Sequence, residues 1–188
     1  MRLFAAVLPP AGAVDELGLA VDRLQALPGA DGLRWTARAG WHFTLAFLGE
    51  VDDALLPGIE ERLGRAAARH EPFELRIDSG GHFGQRALWA GASGGLDAMR
   101  RLAERADAAA RRAGVAMEEH RTYRAHLTLA RSPTGEADLK PYVEALGGFT
   151  GTGWTVGELA LVRSNLPVAG VRGEQPRYET VAAWALGR

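Results

Sequence analysis

The chain has 188 residues, a formal net charge of −1 and no Cys, and 47% of its residues are hydrophobic. A chain of this length buries a core of its own, which favours one folded unit over residues 1–188. The lack of Cys excludes disulfides, thiolate metal sites and a cysteine nucleophile. The lack of a basic excess argues against nonspecific binding along long nucleic acids.

The N-terminal segment predicts a buried strand rather than a targeting signal. Its apolar run, residues 3–8, is short and ends at Pro9 and Pro10. No stretch of the sequence approaches the length of a membrane-spanning helix. We therefore expect no membrane partner and, since Cys is absent, a cytoplasmic location.

Helical and strand patterns are mixed along the chain, and several predicted strands follow one another without a helix between them. This order favours an α+β fold with largely antiparallel sheets. The helical stripes lie within 14–24, 53–70, 96–106 and 138–146, and Gly114 is expected to end the third helix. The predicted strands are 2–8, 33–36, 41–48, 73–79, 87–91, 125–131, 155–163 and 178–186.

Two octapeptides resemble each other and lie 84 residues apart. One begins at His42 and reads HFTLAFLG, and the other begins at His126 and reads HLTLARSP. They share His, Thr, Leu and Ala at the same positions, and a predicted helix follows each. The repeat predicts two related lobes that face each other about a pseudo-twofold axis.

The spacing within each motif places its polar groups together. In a strand, residues i and i+2 point to the same side, so His42 projects with Thr44 and His126 projects with Thr128. The alternate residues, Phe47 among them, then face the opposite side. A single H-x-T on a strand is commonly structural. Two copies in a chain with five His favour a catalytic pair in one cleft.

The other three His do not form a metal site. His70 ends a predicted helix and is expected to complement its dipole as a cation, whereas His82 and His120 are expected at the surface. The sequence contains no H-x-H or H-x-x-x-H spacing. We therefore expect a protein without a bound metal.

The paired motifs resemble those of the 2H phosphoesterase superfamily, in particular its bacterial and archaeal RNA 2′,3′-cyclic phosphodiesterases, also called 2′-5′ RNA ligases. One departure is Ala125, where family members often carry Pro, but this changes no catalytic group. The resemblance implies a bilobal α+β fold, in which each lobe has an antiparallel sheet with outer helices, an active cleft between the lobes, and no cofactor. It spans nearly the whole chain through segments 2–7, 41–49, 88–91, 124–131 and 178–180.

The resemblance also implies roles for the motif residues. The substrate is an RNA with a 2′,3′-cyclic phosphate end or a small cyclic nucleotide, opened to a 2′-phosphomonoester by a protein expected to be a monomer. His42 becomes the proton donor and His126 the proton acceptor, although the symmetry of the motifs makes either eligible for either role. Thr44 and Thr128 bind the phosphate.

Arg131 is the fifth candidate site residue, because its family position suggests a phosphate contact. Strict alternation from His126 places Arg131 on the wrong face of the strand. It reaches the phosphate only if the strand ends or bulges before Ser132.

Three alternative functions remain open. The same His pair serves 2′-5′ RNA ligation, the reverse of cleaving such a linkage. A phosphodiesterase acting on a small cyclic nucleotide would need the same groups. A nucleotide-binding module without turnover is the third, and the intact His and Thr of both motifs argue against it.

Overall fold

The computed structural model describes residues 1–119, 122–167 and 174–188, so His120 lies outside the described residues. The α+β prediction is confirmed in these ranges. The helices are α1 (Ala11–Gln25), α2 (Leu56–Ala68), α3 (Leu96–Arg112) and α4 (Lys140–Leu146). The strands are β1 (Arg2–Val7), β2 (Arg34–Trp35), β3 (Phe43–Glu50), β4 (Phe73–Phe83), β5 (Ala87–Gly94), β6 (Leu127–Arg131), β7 (Trp154–Val156), β8 (Glu158–Asn165) and β9 (Arg177–Ala185).

The strands form two antiparallel sheets, and each sheet carries one of the two motifs. One sheet has the order β3-β1-β8-β9, and the other has the order β2-β6-β5-β4-β7. The first motif continues into β3 at a sheet edge, and the second continues into β6 between β2 and β5. The pseudo-twofold relation and the division into two lobes stay predictions.

A shared core joins the elements. One cluster of buried side chains includes residues from both sheets and from α1 to α4. The helix α3 packs against β3 and β4, and α2 packs against α3, β8 and β9. The prediction of one folded unit over residues 1–188 stays a prediction. No helix in the described part of the chain is long and apolar enough to cross a membrane.

The helix predicted from the apolar stripe at 96–106 is confirmed as α3. Its buried face includes Met99, Leu102 and Ala106, which recur at intervals of three and four. The helix ends before Gly114, whose φ of 99° lies in the left-handed region that favours glycine. The amide of Gly114 donates to the Arg111 carbonyl and that of Val115 to the Ala110 carbonyl, the paired bonds of a Schellman cap.

The prediction that His70 complements a helix dipole as a cation is wrong. Its side chain is buried, with 4% of its surface exposed, and packs edge-on against Phe73 at a centroid distance of 5.7 Å. Burial lowers the pKa of His70, and the nearby positive charges of Arg105 and Arg101 lower it further. The imidazole is therefore a neutral core group.

Two tyrosines that pack against the core, Tyr142 buried and Tyr123 partly buried, form a matched pair for a stability test. The hydroxyl of Tyr123 has no hydrogen-bond partner among the described residues, whereas that of Tyr142 donates to the Pro28 carbonyl at 3.3 Å. We expect Tyr142→Phe to lower the free energy of unfolding by about 1 kcal/mol. Tyr123→Phe should leave that free energy unchanged or raise it, since no bond is lost. Urea denaturation checks this, and equal losses in the two variants would refute it.

Candidate active site

A cleft of about 310 Å³ brings strands of both sheets together. The five predicted site residues all line it: His42, Thr44, His126, Thr128 and Arg131. Residues from β1, β8 and β9 complete its wall. The sequence therefore identified groups that the fold brings to one place, and their catalytic roles stay predictions.

The two motif histidines are held in the same way. Nδ1 of His42 lies 2.7 Å from the Gly40 carbonyl oxygen, and Nδ1 of His126 lies 2.8 Å from the Arg124 carbonyl oxygen. Because a carbonyl oxygen only accepts, each Nδ1 carries a proton and donates it. Each Nε2 is therefore the nitrogen that remains for proton transfer. The likeness of the two motifs extends to these hydrogen bonds.

The ring of His42 is packed between aromatic side chains. The Phe4 ring lies 4.5 Å away, centroid to centroid, and Tyr178 meets it edge-on at 5.2 Å. Burial lowers the pKa of His42, the Gly40 carbonyl opposes that shift, and the charge of His126 adds to it. In the free protein, His42 thus becomes neutral at a lower pH than an exposed histidine.

The surroundings of His126 are aromatic as well. Phe83 meets its ring edge-on at a centroid distance of 4.9 Å, and the Trp89 ring lies 6.1 Å away. Phe83 keeps 43% of its surface exposed although it is a large apolar side chain. Both imidazoles are therefore oriented by rings as well as by a backbone carbonyl.

The expectation that Phe47 faces away from His42 and Thr44 is wrong. The ladder between β1 and β3 pairs Ala6 with Thr44, Ala5 with Ala46 and Phe4 with Phe47. The pairing thus passes over Leu45, and this β-bulge shifts the alternation by one residue. Phe47 consequently lines the cleft with 48% of its surface exposed, and the Arg2 guanidinium lies 4.9 Å from its ring centroid.

A second bulge brings Arg131 to the cleft. The ladder between β5 and β6 pairs Trp89 with Thr128, Leu88 with Ala130 and Ala87 with Arg131. The pairing passes over Leu129, so Arg131 shares a face with Thr128. The sequence analysis required an end or a bulge of the strand before Ser132 for Arg131 to reach a phosphate, and the bulge at Leu129 meets that condition.

The cleft residues without a role in the sequence analysis include Arg2, Ser164 and Tyr178. Arg2 lies on β1, distant in sequence from the consecutive strands β8 and β9, on which Ser164 pairs with Tyr178. Burial raises the pKa of Tyr178, while the positive charges of Arg131 and Arg2 lower it. The segments 2–7 and 178–180 contributed to the family resemblance, but their spacing carries no sign that they meet.

Potential metal ligands are not clustered in the described residues. Within them, no group of three or more His, Asp or Glu side chains lies close enough to hold a metal ion. Whether the reaction needs a metal is a matter for experiment, and the expectation of a protein without one stays a prediction.

The chain resembles known proteins over most of its length. The model of the 2′-5′ RNA ligase superfamily matches residues 13–166. An RNA 2′,3′-cyclic phosphodiesterase of Geobacillus stearothermophilus is 32% identical over 160 residues, which are 81% of this chain and 47% of that protein. The chain thus spans about half the length of that relative. Its namesake from Bacillus subtilis is 27% identical over 160 residues, 81% of this chain and 80% of that protein.

Solved structures agree with the family model. The structure of Escherichia coli LigT in apo form has a TM-score of 0.76 and 28% identity, covering 100% of this chain and 98% of that chain. LigT complexed with 3′-AMP has a TM-score of 0.76 and 27% identity over the same shares. The match over residues 13–166 is well above half of the chain. The chain therefore belongs to the 2′-5′ RNA ligase superfamily.

Proposed function

We propose that this chain is an RNA 2′,3′-cyclic phosphodiesterase that opens the cyclic phosphate of an RNA end to a 2′-phosphomonoester. The observation that carries the proposal is the pair of imidazoles, one adjoining each sheet. Both line the same cleft, and both carry their proton on Nδ1. The names of the two relatives and the 3′-AMP complex of LigT support the same substrate class.

The chemistry is an in-line displacement at phosphorus. His126, in its neutral form, accepts a proton from the attacking water at Nε2. His42, in its protonated form, donates a proton from Nε2 to the ribose 3′ oxygen as the P–O3′ bond breaks. The phosphate stays on the 2′ oxygen. These roles come from the family resemblance. The hydrogen bonds of the two histidines are alike and do not distinguish the acid from the base.

The hydroxyl and guanidinium groups of the cleft stabilise charge. The hydroxyls of Thr44 and Thr128 donate to the nonbridging oxygens, on which negative charge grows in the transition state. Arg131 adds a positive charge on the same face as Thr128. Each of these residues lies on a paired strand, so the sheet holds the backbone that carries its side chain.

The pH dependence follows from the setting of His42. Burial lowers its pKa in the free protein, whereas a bound phosphate favours the charged imidazole and raises it. We expect bell-shaped profiles, with the alkaline limb of kcat at higher pH than that of kcat/KM. The limbs report macroscopic values of a coupled pair. Steady-state rates from pH 4 to 10 test this, and a rate that rises steadily to pH 10 would contradict an essential acid.

We expect catalysis without a metal ion. Treatment with EDTA followed by dialysis should leave kcat unchanged, because two imidazoles and fixed donors supply the proton transfers and the charge stabilisation. The control is the same protein dialysed without EDTA. Activity that is lost and then restored by one divalent ion would assign part of the chemistry to that ion.

Hydrolysis is separated from ligation by one assay. An RNA with a labelled cyclic phosphate end is incubated with a second RNA that has a 5′-hydroxyl. Hydrolysis keeps the RNA length and makes the end sensitive to phosphatase, whereas ligation produces a longer product with a 2′-5′ linkage. We expect hydrolysis in water at dilute RNA. Binding without either product would favour the nucleotide-binding module.

We also place this activity in the cytoplasm and assign it to a monomer, on the sequence grounds given above. Size-exclusion chromatography with light scattering tests the monomeric state. A mass twice that of the 20.1 kDa chain would contradict it.

A further inference from the structure

A second cavity, of about 590 Å³, adjoins the active cleft beside His126. Arg124 and Ala125, which directly precede His126, line this cavity. Trp89 lines it as well, and its ring lies 6.1 Å from that of His126. We call it the adjoining pocket and define it by Asp78, Ser79, Trp89 and Arg124.

The adjoining pocket lies on the same sheet face as the active cleft. Trp89 on β5 pairs directly with Thr128 on β6, and directly paired residues project to the same side of a sheet. Across the other edge of β5, Trp89 pairs with Gly81. The Trp89 indole lies directly over Gly81 of β4, because a Cβ atom on Gly81 would come within 2.5 Å of it. The face that carries the catalytic groups therefore continues into the pocket.

The accessible groups of the pocket suit a nucleotide. The exposed Arg124 guanidinium lies 5.9 Å from the centroid of the Trp89 ring and offers donors to a phosphodiester. Asp78 offers acceptors, because hydrogen bonds from Ser93, Ser79 and Thr150 keep its pKa low and its carboxylate ionised. A cation for the phosphodiester and an acceptor for a base edge are among the elements by which proteins hold single-stranded RNA, and the buried Trp89 supports the guanidinium from beneath.

The backbone of β4 is distorted at the pocket. Ser79 has a φ of 57°, in the left-handed region that non-glycine residues rarely adopt. The distortion coincides with a shift in the β4–β5 register between Ile77 and Gly80. It brings both Asp78 and Ser79 to the pocket wall. Strained residues of this kind cluster at active sites and ligand sites.

We propose that the adjoining pocket binds the nucleotide on the 5′ side of the cyclic phosphate nucleotide. Arg124 contacts the phosphodiester that joins the two nucleotides, and the base lies against the Asp78 side of the pocket. This inference rests on the proposed function. Within that function, it makes an RNA end of at least two nucleotides a better substrate than a 2′,3′-cyclic mononucleotide.

The test compares a 2′,3′-cyclic mononucleotide with a dinucleotide that ends in a 2′,3′-cyclic phosphate. We expect kcat/KM of the wild type to be about tenfold or more higher for the dinucleotide, the usual effect of one charge-assisted contact. Arg124→Gln should remove most of this preference, chiefly through KM. Its backbone carbonyl, which orients His126, is retained. Arg86→Gln is the matched control, since Arg86 is also exposed and lies outside the pocket lining.

The outcomes separate the pocket from the catalytic centre. An equal loss with both substrates would overturn the inference, because Arg124 would then act on the reaction itself. A wild type without preference, or an Arg124→Gln variant that keeps it, would overturn the inference too. If the wild type turns over neither substrate, the proposed function fails. Calorimetry with a dinucleotide that ends in a 2′-phosphate then decides, because weaker binding by Arg124→Gln supports the pocket and equal binding refutes it.

Discussion

Replacement of His126 or His42 by Ala should lower kcat by about 10²–10⁴, the usual contribution of general acid or base catalysis. Each variant loses one of the two proton-transfer groups of the cleft, and no other imidazole lines it among the described residues. Because the two groups act in one step, the double variant should be little slower than the slower single variant. Single-turnover rates with a cyclic phosphate RNA measure these losses.

Packing around His42 requires a second substitution and a control. Phe4 and Tyr178 contact the ring, so His42→Ala also leaves a void, whereas His42→Gln retains most of the volume. We expect both to be equally inactive. His82→Ala is the control, because this exposed histidine lies outside the cleft and, in the ranges that the structure describes, hydrogen-bonds to the Gly84 carbonyl of its own turn. Near wild-type kcat in a folded His42 or His126 variant would contradict the two-histidine mechanism.

Removal of a threonine hydroxyl should produce the next largest effect. Thr44→Val and Thr128→Val keep the branched shape of the side chain but lose the donor to the phosphate. We expect kcat to fall by about 10²–10³ for each, as when one donor to a developing charge is lost elsewhere. KM should change less, because the hydroxyl bonds strengthen in the transition state. Steady-state kinetics with the cyclic phosphate RNA separates the two parameters.

The control for these variants is Thr155→Val on β7. This threonine donates its hydroxyl to Glu74 and is exposed, outside the active cleft. Its replacement should leave kcat unchanged. If Thr44→Val and Thr128→Val were as active as Thr155→Val, the hydroxyls would have no part in stabilising the transition state.

The sequence predicted those features that depend on local periodicity. The apolar stripe and the glycine after α3 predicted the helix and its end, because both signals lie within the helix itself. The pairs His42–Thr44 and His126–Thr128 were correct for the same reason, since each spans only two residues. The four helices were therefore recognised before the sheets were known. The single strand predicted at 155–163 is wrong, because the chain divides it between β7 and β8, which lie in different sheets.

The sequence did not predict features that depend on pairing partners. The bulges at Leu45 and Leu129 appear only when β1 and β5 supply the opposite strands, and they determine that Phe47 and Arg131 face the cleft. Tyr178 reaches His42 because β9, β8 and β1 are neighbours in one sheet. His70 was misjudged because its burial depends on how the end of α2 packs against the rest of the fold.

In the proposed reaction, water opens the cyclic phosphate with departure of the ribose 3′ oxygen. The decisive experiment is ³¹P NMR of a defined RNA with a 2′,3′-cyclic phosphate end, incubated with the protein in ¹⁸O-labelled water. We expect one product, a 2′-phosphomonoester with a single ¹⁸O atom, formed by the wild type and not by His126→Ala. A 3′-phosphate product, or a cyclic phosphate that the wild type leaves intact, would contradict it.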